Sequence, residues 1–521
     1  MATRYAPKGM VCSVDHLASE AGVSVLRSGG SAADAAIATS AVLAVTTQHM
    51  CGMGGDLFAL VHGAPGPPQV LNASGRAGSG ADPDPLRADG HAVMPYRGDI
   101  RSVPVPGCVD GWLALHDRFG RLPLRDVLAP AIAYARDGFP ASPLLAASLL
   151  LVAEVDGVDD YRLGDHLARS GELVRRPGVA VALARIVDEG RAGFYTGEFG
   201  AGLVALGAGE YEPADLERVN ADWVDALGIT AWGHGVWTVP PNSQGYLTLL
   251  GVGIAEGLDL PPDPEDGLWP HLLVEAARAA GYDRPALLHE HADVAPLLTP
   301  EAVATRRSGI DPDARALLAA PAATGGTIYL CAVDADRMGV SLIQSNAAGF
   351  GVHIVERTTR IFLQNRGIGF SLEPGHPAEY GPGRRPPHTL SPALVTDAES
   401  ALQYVIGTMG GDSQPQVLLQ LLTRLLRHGA SPAGAIDAAR WVLHNDGGRG
   451  FDCWEEPDAL AVLLEDNAPA PWSDGLQDRG HTVVMVPPGH GFGHAHVIEV
   501  RDAVLAGAAD PRALIGSASG W

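Results

Sequence analysis

The sequence predicts an α+β fold in which layered β-sheets are flanked by helices. Helical and extended segments alternate along the 521 residues, with no linker between independent domains and no repeat of fixed period. The part before Thr327 is mostly helical, whereas the part from Thr327 onward is a dense series of strand candidates. This combination is typical of sheets that are covered by helices.

Two helices are predicted at the start of the chain. In "SVDHLASEAGVSVLRSGG", Leu17, Ala21 and Val25 share one helical face, and the final glycines can end the helix. In "SAADAAIATSAVLAV", Ser31 is placed to cap a second helix, with Asp34 three residues later. The segments "DLFALVHG" and "QVLNAS" are then predicted to be paired strands around the turn "APGPP".

The rest of the chain follows the same periodicities. Helices are predicted at "GWLALHDRFG" and "LRDVLAPAIAYARDG" and over most of residues 180–318, where the tail of "GITAWGHGVWTVPPNSQG" is a loop. After that, strands are predicted at "TIYLCAVD", "GVSLIQS", "RIFLQN", "PALVTD", "LQYVIGTMGG", "HTVVMV" and "HAHVIEV". Helices are predicted at "QPQVLLQLLTRLLRHG" and "SPAGAIDAARWVL".

Composition and charge narrow the class of protein. With 46% hydrophobic and 18% charged residues, the chain is typical of a globular protein with a large core. A formal net charge of −24 without a Lys/Arg-rich run argues against nucleic acid and anionic membranes as partners. The five cysteines are scattered without a CxxC pair, so we expect reduced structural thiols. The sequence shows neither a signal-peptide pattern nor an apolar membrane span, so we expect a cytoplasmic protein.

The sequence lacks the common catalytic and cofactor motifs. It contains no GxSxG, P-loop or HExxH motif, and the glycines of "CGMGGDLF" lack the preceding strand and following helix of a dinucleotide site. The histidines of "GHGFGHAHV" and "HEHAD" have no recognised metal-ligand spacing and are interpreted as local hydrogen-bonding groups. We therefore expect neither a cofactor nor a metal.

The stretch "ATGGTIYLCAVDADRMGVSLIQSN" places Thr327 directly after two glycines and before an apolar run. A strand that begins after a Gly-Gly turn explains this pattern without any chemistry. The rest of the chain favours a functional interpretation. Seven blocks, in chain order, resemble the signature segments of the γ-glutamyltranspeptidase family: "LASEAGVSVLRSGGSAADAAIATSAVLAV", "CGMGGDLFALV", "VPVPGCVDGW", "VPPNSQG", "GGTIYLCAVDADRMGVSLIQSNAAGFG", "RPPHTLSPALV" and "GTMGGDSQPQ".

This resemblance spans nearly the whole chain and implies a fold and a maturation step. Members of the family are N-terminal nucleophile (Ntn) hydrolases with an αββα sandwich, made as precursors that cut themselves before a threonine. The implied cut lies between Gly326 and Thr327. It would leave a large subunit, 1–326, and a small subunit, 327–521, which pair as a heterodimer and form one structural domain.

Such a cut would supply the base that the Thr327 hydroxyl needs. The hydroxyl is not ionised near neutrality, whereas a free α-amino group titrates near roughly 7.7–8.0 and can accept its proton. Gly325 and Gly326 permit the strained backbone in which the hydroxyl reaches the preceding carbonyl.

The resemblance also implies roles for residues elsewhere in the chain. Ser345 corresponds to a hydroxyl that orients the catalytic threonine, and Gly410 and Gly411 correspond to a pair whose N–H groups form the oxyanion hole. Arg76 occupies the place of the arginine that binds the substrate α-carboxylate. Ala347 replaces an asparagine that contacts the substrate.

Several positions depart from the typical transpeptidases. His388 and Thr389 replace a serine pair that contacts the substrate carboxylate. In "LQNRGIGFSL", Ile368 and Gly369 stand where the family has two aspartates, one of which grips the glutamyl ammonium group, and Arg366 stands where a neutral amide is usual. An added cation and a lost anion favour a carboxylate-bearing acyl group without a nearby ammonium.

The predicted function is therefore an autoprocessing Ntn hydrolase that acts on a small carboxylate-bearing amide through an acyl-threonine. The NRGxGF pattern is similar to a branch of the family that includes an oxamate amidohydrolase, glutaryl-type β-lactam side-chain acylases and enzymes that cleave a C–C bond. Three alternatives stay open: γ-glutamyl transfer or glutathione hydrolysis, C–C bond cleavage in specialised metabolism, and an uncleaved inactive homologue. Tyr329, in place of the usual histidine, favours the last of these.

Overall fold

The computed structural model describes residues 1–316, 328–445, 454 and 458–521, so the predicted cleavage residues Gly326 and Thr327 lie outside the described residues. Two seven-stranded antiparallel sheets stack face to face, and helices cover both outer faces. The α+β class that the sequence predicts, with two stacked sheets flanked by helices, is confirmed.

Within the described residues, the helices and strands have the following bounds. The helices are α1 His16–Arg27, α2 Ala32–Thr46, α3 Pro83–Ala88, α4 Cys108–Phe119, α5 Leu124–Asp137, α6 Pro143–Ser148, α7 Pro177–Glu189, α8 Ala192–Tyr195, α9 Glu198–Leu206, α10 Pro213–Glu217, α11 Tyr246–Glu256, α12 Leu268–Gly281, α13 Arg284–Leu287, α14 Pro300–Arg307, α15 Gln414–Leu422, α16 Pro432–Asp437 and α17 Ala470–Asp478. The strands are β1 Arg4–Ala6, β2 Met10–Ser13, β3 Asp56–His62, β4 Gln69–Ala73, β5 Phe139–Pro140, β6 Arg162–Leu163, β7 His166–Leu167, β8 Leu173–Val174, β9 Asp222–Val224, β10 Leu227–Ala231, β11 His234–Thr238, β12 Ile328–Val333, β13 Gly339–Ser345, β14 Ala393–Thr396, β15 Leu402–Thr408, β16 Trp441–His444, β17 Ala461–Glu465, β18 Thr482–Val486, β19 Ala495–Val500, β20 Leu505–Ala509 and β21 Ser517–Gly520.

The two large sheets each combine strands from both sides of residue 327. Sheet I has the order β21-β2-β12-β13-β3-β4-β9, and sheet II has the order β1-β20-β19-β15-β14-β11-β10. The strands β16, β17 and β18 form a separate small sheet. The predicted large and small segments therefore share both large sheets, and neither large sheet is complete within one segment.

The residues of β12 show how the layers are specified. Tyr329, Cys331 and Val333 point into the apolar layer between the two sheets, whereas Ile328 and Leu330 point toward the helices that cover sheet I. Both faces of the strand are buried, because helices cover one face and sheet II covers the other. This explains why the strand is an almost continuous apolar run rather than an alternation of apolar and polar residues.

The first two helices begin as the sequence predicts. The Asp15 carboxylate accepts a hydrogen bond from the Leu17 N–H (2.9 Å) at the start of α1. Ser31 and Asp34 form a capping box at the start of α2: the serine Oγ accepts from the Asp34 N–H (3.1 Å) and the aspartate accepts from the Ser31 N–H (2.9 Å). Every residue of α2 is buried, because the helix packs against sheet I on one side and other helices elsewhere.

Two predicted elements are wrong. Residues 360–365, predicted as a strand, form no strand, because their N–H groups bond to separate loops: the Gln364 N–H donates to the Gly54 carbonyl (2.9 Å) and the Asn365 N–H to the Asn346 carbonyl (3.1 Å). The predicted helix at "SPAGAIDAARWVL" ends at Asp437, and Trp441–His444 is strand β16, paired with β17. An aromatic and β-branched stretch fits a sheet position better than a helix.

The remaining general expectations concern thiols and membranes. Cys12, Cys51, Cys108 and Cys331 are buried free thiols, and Cys453 lies outside the described residues. Among the helices that the structure describes, none combines the length and the apolar character needed to cross a bilayer.

Candidate active site

Most of the predicted site residues lie at one end of the two stacked sheets. Ser345 is the last residue of β13, and its partner across sheet I is Asp56, the first residue of β3. In sheet II, Thr389 lies just before β14, and Gly410 lies just after β15. These strand ends meet because the Asp56 carboxylate contacts the residue that precedes Thr389.

Ser345 is held in a defined position. It is buried, and its Oγ accepts a hydrogen bond from the Ala347 N–H at 2.8 Å. Ala347 has a φ of +70°, a left-handed conformation that asparagine adopts more easily than alanine. The tight turn after β13 therefore directs the Ser345 hydroxyl, and the orienting role of this hydroxyl stays a prediction.

Gly410 and Gly411 form the turn that follows β15. Their φ values of +134° and +60° lie in the region that side chains disfavour, and a Cβ on Gly410 would collide with the Ser413 Oγ. The Gly411 carbonyl accepts a hydrogen bond from the Gln244 Nε2 at 3.0 Å, and the same Nε2 donates to the Thr389 carbonyl at 3.1 Å. Gln244 thus joins the glycine pair to the segment that carries Thr389.

Arg366 and Thr389 are in direct contact. Arg366 begins a 3₁₀ turn, Arg366–Gly369, and its Nη1 donates to the Thr389 Oγ1 at 3.2 Å. Burial, together with the positive charge of Arg284, lowers the pKa of Arg366 to about 10. The guanidinium is still cationic at neutral pH, and the nearby carboxylates of Asp412 and Asp56 favour its charged form.

His388 lies fully buried behind Thr389. Its Nδ1 accepts a hydrogen bond from the Leu390 N–H (3.3 Å), so its proton is on Nε2, which donates to the Asp56 Oδ2 at 3.2 Å. The Phe58 ring packs edge-on against the imidazole with a centroid distance of 5.1 Å. Burial lowers the pKa of His388 to about 4, so the ring is neutral at pH 7. Both of its nitrogens are occupied by protein contacts.

Arg76 belongs to a separate group of ion pairs. Its Nη1 bonds to the Glu290 carboxylate and to the Gly383 carbonyl (3.2 Å), and its Nη2 lies 3.6 Å from the Asp222 Oδ2. The side chain is 13% exposed, and the Asp222 carboxylate also pairs with Arg385 at 2.8 Å. The predicted carboxylate-binding guanidinium therefore already has two anionic neighbours.

The sequence interpretation missed four residues of this site. Gln244 and Asp56 connect the segments described above, and Asp412 forms a buried ion pair with Arg284 (3.3 Å) directly after the glycine pair. Asp56, Gln244 and Asp412 lie within the blocks "CGMGGDLFALV", "VPPNSQG" and "GTMGGDSQPQ". A single acid after Gly-Gly at the start of a buried strand was a usable signal for Asp56, whereas nothing in the sequence around Arg284 indicated its role.

The departures at residues 368 and 369 have a structural basis. A Cβ on Gly369 would lie 2.5 Å from the Pro387 carbonyl oxygen and 3.3 Å from the Arg366 Nη2. Ile368 is buried. The backbone of the Thr389 segment thus occupies the space that a side chain at position 369 needs.

Tyr329 is part of the layer between the sheets. Its ring stacks on His496 at a centroid distance of 6.1 Å and lies against Gly407, where a Cβ would collide with it. Its hydroxyl bonds to the Ser341 Oγ at 3.0 Å, and burial raises its pKa. The residue is a well-packed core tyrosine. Among the residues that the structure describes, no three His, Cys, Asp or Glu side chains are grouped as metal ligands.

Comparisons with known proteins show which family the chain is similar to. A family model described as gamma-glutamyltranspeptidase matches residues 18–520. The chain is 35% identical over 522 residues to the glutathione hydrolase-like YwrD proenzyme of Bacillus subtilis (strain 168), covering 97% of each chain. It is 33% identical over 533 residues to the oxamate amidohydrolase proenzyme of Klebsiella pneumoniae, covering 98% of each chain.

A solved structure shows the same fold. The crystal structure of a cephalosporin acylase from Bacillus halodurans matches with a TM-score of 0.89 and 32% identity, covering 100% of this chain and 97% of that one. The predicted Ntn hydrolase sandwich is therefore confirmed.

Proposed function

Because this chain belongs to the γ-glutamyltranspeptidase family, we propose that Thr327 is the nucleophile of an amide hydrolase that acts on small carboxylate-bearing amides. The family makes the chain a threonine-nucleophile enzyme that hydrolyses amides or transfers their acyl groups. The identity of the nucleophile, its cleavage site and the substrate class are the proposed parts.

One observation carries the assignment of Thr327. Ile328 is paired with Gln344 across β12 and β13. Ile328 directly follows Thr327 in the sequence, and Gln344 directly precedes Ser345. The strand that Thr327 precedes therefore begins beside the predicted orienting hydroxyl. The glycine pair and the contact between Arg366 and Thr389 are joined to the same end of the sheets through Gln244.

The proposed reaction uses the same hydroxyl twice. In the precursor, the Thr327 Oγ attacks the Gly326 carbonyl carbon, and the C–N bond between Gly326 and Thr327 breaks, which frees the Thr327 α-amine and leaves an ester. Water then hydrolyses the ester to release the Gly326 carboxylate and the Thr327 hydroxyl. In turnover, the α-amine accepts the hydroxyl proton while Oγ attacks the substrate carbonyl. The tetrahedral oxyanion is stabilised by the N–H groups of Gly410 and Gly411, the amine leaves with a proton, and water or an acceptor amine cleaves the acyl ester.

Local charge supports the substrate class. Arg366 is a buried cation that bonds to Thr389, and positions 368 and 369 offer no carboxylate for a substrate ammonium. An acyl group with its own carboxylate and no ammonium complements this charge pattern. The similar proteins include one named for oxamate, which is such an amide, and one named as a cephalosporin acylase.

The first experiment is an intact mass of the denatured protein with sequencing of any new N-terminus. We expect two chains, the smaller beginning Thr-Ile-Tyr-Leu. The variant Thr327→Ala should remain one chain without turnover, and Thr327→Ser, which keeps a hydroxyl, should retain part of both activities. A wild-type chain that stays uncut on long incubation would favour the inactive homologue, and turnover by Thr327→Ala would refute the nucleophile.

The second experiment compares glutaryl p-nitroanilide with γ-glutamyl p-nitroanilide, which differ by the ammonium group. We expect a higher kcat/KM for the glutaryl compound. A strong preference for the γ-glutamyl compound would contradict the substrate class and favour glutathione hydrolysis, the activity to which the name of the Bacillus subtilis relative points.

The finer expectations follow from this proposal. Cleavage at Thr327 would leave segments 1–326 and 327–521 as a heterodimer, held together because both large sheets take strands from each segment. Membership of the NRGxGF branch and a cytoplasmic location stay predictions.

A further inference from the structure

Asp56 is a buried carboxylate to which the proposed reaction assigns no role. It is fully buried at the start of β3. Its Oδ1 accepts hydrogen bonds from the Gly75 N–H (2.8 Å), the Gly107 N–H (3.2 Å) and the Gln364 Nε2 (2.8 Å). Its Oδ2 accepts from the His388 Nε2 at 3.2 Å. A carboxylate has about two lone-pair sites on each oxygen, so three donors share Oδ1, whereas the His388 Nε2 bonds to Oδ2.

The donors around Asp56 come from separate segments, and three of them adjoin predicted site residues. Gly75 directly precedes Arg76. Gln364 lies two residues before Arg366. The third donor, an imidazole, directly precedes Thr389, and the partner of Asp56 across the sheet is Ser345. One carboxylate therefore sets the mutual spacing of segments that are far apart in the chain.

The hydrogen bond between Asp56 and His388 also fixes the position of the neighbouring contact between Thr389 and Arg366. Because Nδ1 accepts from the Leu390 N–H, the imidazole can only donate through Nε2, and Asp56 receives that bond. The ring orientation is thus defined at both nitrogens. The next residue, Thr389, carries the hydroxyl that receives the Arg366 hydrogen bond, so a turn of the imidazole displaces that contact.

We propose that Asp56 is a positioning residue of the active site, which orients His388 and thereby holds Thr389 against Arg366. His388 acts behind these two residues rather than on the substrate, since both of its ring nitrogens bond to protein groups. The inference rests on the proposed function, because its effect is measured as turnover. If Asp56 only stabilised the fold, replacing it would change the amount of folded enzyme but not the kcat/KM of each folded active site.

The test compares Asp56→Asn with a matched buried carboxylate. In Asp56→Asn, the new amide N–H would face the His388 Nε2–H, so two donors would meet and this bond would be lost. If the imidazole instead carried its proton on Nδ1, that Nδ1–H would face the Leu390 N–H, and the bond to Leu390 would be lost. One hydrogen bond is therefore lost with either tautomer. Asp34 is also fully buried and accepts three backbone N–H bonds, but it lies at the start of α2. Asp34→Asn therefore measures the effect of replacing a buried carboxylate with an amide at a position outside the proposed site.

Kinetics are measured per cleaved active site, counted by intact mass, with whichever of the two anilides the wild type hydrolyses faster. We expect Asp56→Asn to lower kcat/KM at least tenfold, and Asp34→Asn to lower the melting temperature with kcat/KM within twofold of wild type. His388→Phe, which keeps the packing on Phe58, should also lower kcat/KM at least tenfold. The kcat/KM of the double variant should be no lower than that of Asp56→Asn alone, because both changes remove the same contact between Asp56 and His388.

Two results would overturn the proposal. The first is a kcat/KM within twofold of wild type for Asp56→Asn or, if that variant is not cleaved, for His388→Phe. The second is a double variant whose loss is the product of the two single losses, which would show that Asp56 does not act through His388. A wild type that is uncleaved or inactive with both anilides would instead be a failure of the proposed function.

Discussion

Gly369 provides a quantitative test of how the pocket is built. A Cβ at this position would lie 2.5 Å from the Pro387 carbonyl oxygen, whereas ordinary contacts begin at 3.4 Å. Gly369→Ala therefore requires a shift of about 0.9 Å, in a segment where overpacking typically costs about 1–3 kcal/mol. With an unfolding entropy of about 2.1 cal/mol/K per residue, this free energy corresponds to a melting-temperature loss of about 1–3 °C for a chain of this length.

The same shift should affect catalysis more than stability. Pro387 lies two residues before Thr389, so the displaced carbonyl moves the Thr389 hydroxyl relative to Arg366. A misplacement of about 1 Å in a substrate-positioning group can lower kcat/KM by about 100-fold. We expect a 10- to 100-fold loss for Gly369→Ala, on the order of 1.4–2.7 kcal/mol in transition-state stabilisation.

The assay compares alanine and aspartate at this position by differential scanning fluorimetry and by kinetics with both anilides. Gly369→Asp adds a carboxylate to the same steric change, and Arg366 lies near enough to pair with it, so we expect no gain of γ-glutamyl turnover. Gly309→Ala is the control, because its Cβ would lie 3.6 Å from its nearest neighbour and it is exposed. Wild-type kinetics for Gly369→Ala, or a gain of γ-glutamyl turnover in Gly369→Asp, would refute the reasoning.

Two further predictions concern stability. Burial raises the pKa of Asp510, but Arg440 at 2.7 Å and Arg512 outweigh it and hold the pKa at about 2. This pKa lies below the value of about 3.9 in the unfolded chain, so ionised Asp510 should add about 2–3 kcal/mol to the free energy of unfolding. This contribution is present above pH 4 and is lost as the pH falls from 4 to 2. Acid unfolding curves of wild type and Asp510→Asn should converge over that range, and parallel curves would contradict the prediction. Ser31→Ala removes the side-chain acceptor of the α2 capping box and should lower the free energy of unfolding, measured by thermal unfolding, by about 1 kcal/mol. Ser28→Ala, at an exposed position, is the control and should lower it less. Equal losses for the two variants would show that the cap contributes little.

Local sequence alone determined the elements whose signals are contained within a few residues. The capping box of Ser31 and Asp34, and the apolar runs that became β12 and β13, depend on neighbours in the chain and were predicted correctly. The order of the seven blocks likewise identified the family and its fold. These features survive in the sequence because propensity, capping and strand periodicity act over short distances.

Tertiary structure decided whatever depends on partners that are distant in the chain. Residues 360–365 have strand composition, yet loops from other segments take their N–H bonds. The resemblance to the family singled out Arg76, but the pairing of its guanidinium with Glu290 involves a residue 214 positions away. Asp56 connects separate segments only because folding brings Gln364 and His388 to its carboxylate. Each buried polar group must find its hydrogen-bond partners in the folded chain, and no short stretch of sequence specifies which groups those are.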